Sequence, residues 1–202
     1  MQFYAITNRR LFPSREALLE QAALWAEGRV DYVQIREKDL PFDELATLAT
    51  QLVRAVRAVG RHTRILLNGP VEIALATGCD GVHFPSDLSV DAIALAGAAM
   101  REVLADPMIS VSCHTIVEVK RARDHGATLG LFAPVFEKRL DTGILPGQGL
   151  ATLAEACRAG SPMSVFALGG ITVANAKDCV EAGAIGIAAI RLFASRDWLG
   201  LR

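Results

Sequence analysis

The chain predicts a parallel (β/α)8 barrel with a truncated last helix, and three features of the sequence carry that expectation. Eight short apolar runs alternate with helix-forming segments, which is the pattern of a parallel sheet wrapped by helices. Two small-residue turns, Leu168-Gly169-Gly170-Ile171 and Ala188-Ala189-Ile190-Arg191, lie about one βα unit apart near the C-terminus, where such barrels build a phosphate site. No linker or charge run divides residues 1–202, a length that suits one well-buried domain and is short for two.

Taken in order, Phe3–Thr7 reads as the first strand, and Ser14 caps a helix to about Glu27 with Glu16 and Glu20 near its positive end. Val30–Arg36 is a second strand ending in polar side chains. Pro41 opens a 3.6-period segment to Val59, with Leu45, Leu48, Leu52, Val53 and Val56 on one stripe. Arg64–Asn68 is the third strand, followed by a short helix from Pro70 to Ala76 that stops at Gly78. Gly81–Phe84 is the fourth, and Ser89 begins an Ala-rich helix. The fifth strand is Ile109–His114 and its helix Ile116–His125, closed by Gly126. The sixth is Leu129–Phe136, followed by Glu137–Gly149, a loop too long for an ordinary βα turn and of the length used for lids and binding loops. Helix Leu150–Ala159 leads to the seventh strand, within Ser164–Thr172. Helix Val173–Ala182, closed by Gly183, leads to the eighth strand, Gly186–Ile190. After it, Asp197–Arg202 supplies barely one turn, so either the last helix is stunted or a partner chain covers that side.

Composition narrows the function. The hydrophobic fraction is 51 % with only 6 % aromatic, so the core is expected to be Ala, Val, Leu and Ile. A formal charge of −1 and a pI near 6.4 leave no electrostatic footprint for nucleic acid or an anionic membrane, whereas a small phosphorylated ligand needs only a few cations. Cys79, Cys113, Cys157 and Cys179 form no CxxC pair, which points to reduced thiols. With no signal segment and no apolar run of spanning length, the expectation is a soluble cytoplasmic protein.

The strand ends carry the candidate chemistry. Gln34, Arg36 and Lys38 fall on one side of the second strand, an amide and two cations able to converge on an anion; the other reading is an interior salt bridge of Arg36 with Glu37 or Glu72. Asn68 is either a turn residue or a ligand contact. His83, with Asp87 four positions later, reads first as a satisfied structural group. His114 has the right chemistry for an acid or base, while Thr115 caps the next helix and Cys113 reads as a small core residue. In the long loop, Lys138 among Glu137, Arg139 and Asp141 is either a phosphate contact or a solvated charge. Main-chain N–H groups at Gly169-Gly170 and Ile190-Arg191 are the candidate phosphate grip.

Six segments, in this order, resemble thiamine phosphate synthase and its relative TenI: Tyr32-Val33-Gln34-Ile35-Arg36-Glu37-Lys38, Asn68 with Val71-Glu72-Ile73-Ala74-Leu75, Gly81-Val82-His83, Val111-Ser112-Cys113-His114-Thr115, Ala133-Pro134-Val135-Phe136 and Ala167-Leu168-Gly169-Gly170-Ile171. The resemblance runs from Tyr4 to Ile190. It implies a barrel of thiamine biosynthesis, in which the synthase joins a hydroxymethylpyrimidine pyrophosphate to a thiazole phosphate with Mg²⁺ and loss of pyrophosphate. It further implies that Gln34, Arg36 and Lys38 contact the pyrimidine and pyrophosphate, with Asn68 and Ser112 beside them, and that Gly170, Ile190 and Arg191 face the thiazole phosphate.

Departures from the synthase pattern lean the resemblance towards TenI. Gly69 stands where the synthase has a metal-binding Asp, Asp87 follows His83 one residue too soon, and Glu137-Lys138-Arg139-Leu140-Asp141 replaces a threonine-containing stretch. Asn68-Gly69, Pro85-Ser86 and Val135-Phe136-Glu137 match TenI, which isomerises a thiazole phosphate carboxylate to its aromatic tautomer, a proton shift that needs no metal. Pro134, however, occupies the place of the TenI tautomerase histidine, so His114 or Glu137 is the expected proton carrier. The rival expectations are an active Mg²⁺-dependent synthase, with Asp87 and Lys138 compensating, and a thiazole-phosphate-binding regulatory protein without turnover. A homodimer is expected from the short C-terminus and an Ala-rich face.

Overall fold

In a computed structural model, which describes residues 1–87, 89–140 and 143–201, eight parallel strands close into a barrel. In chain order the elements are β1 (Gln2–Ile6), α1 (Arg15–Glu27), β2 (Tyr32–Ile35), α2 (Phe42–Val59), β3 (Arg64–Leu67), α3 (Val71–Thr77), β4 (Gly81–Phe84), α4 (Val90–Arg101), β5 (Met108–Cys113), α5 (Ile116–Asp124), β6 (Leu129–Phe132), β7 (Lys138–Leu140), β8 (Gly143–Leu145), α6 (Gly149–Gly160), β9 (Ser164–Leu168), α7 (Ala176–Glu181), β10 (Gly186–Ala189) and α8 (Arg191–Ala194). Single 3-10 turns occupy Arg9–Leu11 and Asp197–Leu201. The ring runs β1-β10-β9-β6-β5-β4-β3-β2, and β7 pairs with β8 in a separate antiparallel hairpin.

Local chemistry explains the element ends. Ser14 and Thr115 accept the backbone N–H groups of Ala17 and Glu118 at the starts of α1 and α5, each satisfying an orphan helix donor. The expected stripe of α2 is buried in full, joined by Ala49. Alternation along the strands separates two apolar layers. Tyr4, Ile6, Leu66, Met108, Leu129, Leu131, Phe166 and Ala188 fill the barrel, while the larger cluster lies between sheet and helices. Inside, Tyr4, Tyr32 and Phe166 form an aromatic trio with centroids 5.5 to 5.6 Å apart.

Three segments differ from expectation. The sixth strand ends at Phe132 rather than Phe136, because Pro134 has no N–H to give the ladder; Val135 and Phe136 then donate to the carbonyls of Leu168 and Gly169. Helix α7 starts at Ala176, not Val173. Asn175 takes the Thr172 N–H at 2.8 Å and donates to Gly170 O at 3.0 Å, and such local side-chain bonds compete with helix formation. The long loop contains the hairpin, in register Lys138↔Leu145 and Leu140↔Gly143; Asp141 lies outside the described residues.

The truncated end has its own cover. Helix α8 is four residues long, and the following 3-10 turn lays Trp198 against Phe3 and Phe193. Trp25 Nε1 donates to Phe193 O at 2.8 Å, and Gly28 admits the Trp198 ring so closely that a Cβ there would lie 2.1 Å from a ring carbon. Among the described residues, no helix is long and apolar enough to cross a membrane.

Candidate functional site

The C-terminal strand ends form a rim on which most of the expected residues meet. At the end of β9 the chain turns through Gly169 and Gly170 with φ of 96° and 67°, a region costly for side-chain-bearing residues. A Cβ on Gly169 would sit 2.7 Å from Pro134, and one on Gly170 would sit 2.6 Å from the Glu137 carbonyl oxygen. The base of the hairpin therefore packs directly on this turn. Among the described residues, the N–H groups of Gly169, Gly170, Ile190 and Arg191 donate to no protein acceptor. Four uncommitted donors at the ends of two adjacent strands are matched to an anion.

Across the mouth, Gln34 is buried and its Nε2 has no hydrogen-bond partner among the described residues. Arg36 is half-buried and Lys38 exposed, and neither forms a salt bridge among those residues. The alternative pairing of Arg36 with Glu37 or Glu72 is thus not made. Glu37 turns the other way: it accepts Thr7 Oγ1 at 2.7 Å, the Arg9 N–H at 2.9 Å and the Arg9 guanidinium at 3.2 Å. Thr7 Oγ1 accepts the Arg36 N–H at 2.9 Å, so this buried carboxylate pins the backbone on which Arg36 stands.

His83 occupies the next inward position on β4. Its Nδ1 lies 2.9 Å from Ser110 Oγ and its Nε2 2.9 Å from Ser112 Oγ, and Tyr4 donates to Ser110 Oγ at 3.3 Å. Burial, reinforced by the nearby Arg36 and Lys38 charges, lowers the His83 pKa to about 3 and keeps the ring neutral. An unfolded histidine takes up its proton near pH 6.5, so between pH 6.5 and 3 the unfolded chain binds the extra proton and stability falls with acid. Acidifying from pH 6.5 to 4.5 is expected to cost about 2 kcal/mol through this residue. Urea midpoints along that range should flatten in His83→Gln; an unchanged slope would show that His83 is not the group responsible.

The remaining expected residues are placed as follows. Asn68 follows β3 and donates through Nδ2 to His83 O at 3.3 Å. Ser112 is half-buried on the inward face of β5. His114, just beyond, is exposed, and its Nδ1 lies 2.8 Å from the Ala133 carbonyl, which also accepts Gln148 Nε2 at 3.0 Å. A carbonyl can only accept, so Nδ1 carries the proton and Nε2 keeps a lone pair. Glu137 and Lys138 are exposed at the hairpin base. Cys113 is buried and apolar surroundings push its thiol up to about 12, which suits a core residue rather than a nucleophile.

A divalent cation finds a poor donor set. Gly69 offers no side chain, Asp87 is exposed, and no group of three or more His, Cys, Asp or Glu able to hold a metal occurs among the described residues. From the sequence, Tyr4, Thr7 and Ser110 carry no role, and Glu37 enters only as a partner for Arg36. Alternation did signal Ser110, which shares the inward face with Ser112; the Thr7–Glu37 contact spans thirty residues and left no local trace.

The fold is a (β/α)8 barrel, a class whose sites are built at the C-terminal strand ends, and several N–H groups there donate to no acceptor among the described residues. The chain belongs to the thiamine monophosphate synthase (TMP-TENI) family, whose model matches residues 3–193, and this places it in thiamine biosynthesis. It is 31 % identical over 188 residues to thiamine-phosphate synthase of Roseiflexus sp. strain RS-1, covering 93 % of this chain and 75 % of that protein. The corresponding protein of Methanoculleus marisnigri is 33 % identical over 188 residues, covering 93 % and 84 %. Among solved structures, thiamine phosphate pyrophosphorylase from Pyrococcus furiosus superposes with a TM-score of 0.75 at 26 % identity, covering 97 % of this chain and 89 % of that one. A 3-hexulose-6-phosphate synthase, with a TM-score of 0.72 at 20 % identity, shares the fold alone.

Proposed function

We propose that this protein is a TenI-like member of its family, binding a thiazole phosphate carboxylate and shifting a proton on its ring. The observation that carries the reading is the set of uncommitted N–H groups at Gly169, Gly170, Ile190 and Arg191, which suits the phosphate. The ring carboxylate then faces Gln34, Arg36, Lys38, Asn68 and Ser112, where Arg36 and Lys38 supply charge. Lys138, at the hairpin base, closes over the phosphate end.

His114 is the better of the two expected proton carriers. Its Nδ1–H is tied to Ala133, the residue before Pro134, so the ring is anchored beside the segment where the tautomerase histidine stands in TenI and offers a basic Nε2. Glu137, on an exposed loop, has no such anchor. In turnover Nε2 takes the proton from the ring position that must lose it and returns it at the position that must gain it, leaving the histidine neutral. His114→Gln can still donate to Ala133 but cannot accept a proton. It is expected to slow tautomer conversion about 10²- to 10⁴-fold while leaving affinity within about threefold. NMR of the thiazole in D₂O follows both, and full activity in the variant would remove His114 from the mechanism.

The relatives named thiamine-phosphate synthase favour a second reading, a working synthase. The weak metal donor set at Gly69 and Asp87 stands against it. Incubation with hydroxymethylpyrimidine pyrophosphate, thiazole phosphate and Mg²⁺ decides: synthase-level formation of thiamine phosphate overturns the TenI-like reading. Tight binding of thiazole phosphate with neither reaction identifies a regulatory binding protein.

A further inference from the structure

We propose that Tyr4, Ser110 and His83 form a one-way hydrogen-bond relay through the barrel that holds the Ser112 hydroxyl as a donor to an anionic oxygen of the ligand. The inference rests on the reading that an anionic group lies beside Arg36 and Lys38. Its starting point is Tyr4, fully buried in the aromatic trio with Ser110 as its one polar side-chain partner among the described residues. A phenol is a better donor and a poorer acceptor than an aliphatic hydroxyl, so Tyr4 donates and Ser110 Oγ accepts.

Each later step follows from counting protons. Among the described residues, the other polar partner of Ser110 Oγ is His83 Nδ1, 2.9 Å away, which takes the Ser110 proton. A neutral imidazole has one donor and one acceptor nitrogen, so with Nδ1 accepting, Nε2 carries the proton and donates to Ser112 Oγ at 2.9 Å. Ser112 already accepts, and its own proton must point elsewhere. We assign that proton to the mouth, where Arg36 and Lys38 lie near enough for their charges to act on His83. A hydroxyl held as a donor favours an anionic oxygen, which is the stronger acceptor. Tyr4, Ser110 and His83 are therefore positioning residues, acting through Ser112.

The test has a ligand-free arm and a binding arm. In the free protein, ¹⁵N-labelled histidine NMR is expected to show His83 as the Nε2–H tautomer. Tyr4→Phe, which removes the terminal donor and little volume, is expected to populate the Nδ1–H tautomer. A wild-type Nδ1–H tautomer, or no tautomer change in Tyr4→Phe, overturns the relay. The binding arm uses a thiazole phosphate with a ring carboxylate and the same compound without it. Ser112→Ala should weaken the carboxylated compound about tenfold or more and leave the other within about twofold, with Tyr4→Phe giving a smaller loss of the same selectivity. Equal losses for both compounds overturn the relay's assigned target. If neither compound binds the wild type, the functional reading falls, and the tautomer still judges the relay by itself.

Discussion

Gly170→Ala is expected to weaken thiazole phosphate binding roughly ten- to a hundredfold, the cost of losing one or two hydrogen bonds to a charged group. Two effects combine. Gly170 sits at φ 67°, which costs an L-residue about 1–2 kcal/mol, and its new Cβ would meet the Glu137 carbonyl at 2.6 Å and Phe136 Cβ at 2.7 Å. The turn must open, and its N–H vectors move with it. Calorimetric titration of the variant, paired with a thermal melt, separates the site from the fold. Unchanged affinity would show that these amides do not hold the phosphate, and the assignment at Ile190 and Arg191 would lose its partner.

Gly186→Ala is expected to prevent the barrel from closing. Gly186 stands opposite Gln2 where the last strand meets the first, and a Cβ there would lie 2.0 Å from Gln2 O and 2.6 Å from Gln2 C. These are backbone atoms held in a ladder, so no rotamer change relieves the overlap. A loss of at least about 4 kcal/mol follows, enough to unfold many domains of this size. Circular dichroism and near-ultraviolet spectra of the variant give the answer; a native-like melt would mean that the β1–β10 seam is looser than its register indicates.

Much of this architecture was legible because a parallel barrel writes itself locally. Each strand is a short apolar run, several helices have a cap such as Ser14 or Thr115 or a stop such as Gly78, and neither depends on distant contacts. The strand bounds failed where a backbone bond could not form, at Pro134. The helix bound failed where a side chain competed for the backbone, at Asn175. The stunted last helix was legible from its length, but its replacement by Trp198 seated on Gly28 was not, because those residues are 170 positions apart.

For the site, alternation along the second strand placed Gln34 with Arg36 and Lys38, and the glycine pair marked the turn at β9. Residue type and period are properties of the chain alone, so the barrel, its eight strands and the candidate rim were determined by the sequence. Partnership is not such a property. That Glu37 binds Thr7 and Arg9 rather than Arg36, that His83 is buried and neutral between two serines, and that His114 is tied to Ala133 were decided only when the strands closed into a ring. Ring closure brings residues 19 to 30 positions apart within hydrogen-bond range, and no local pattern encodes that event.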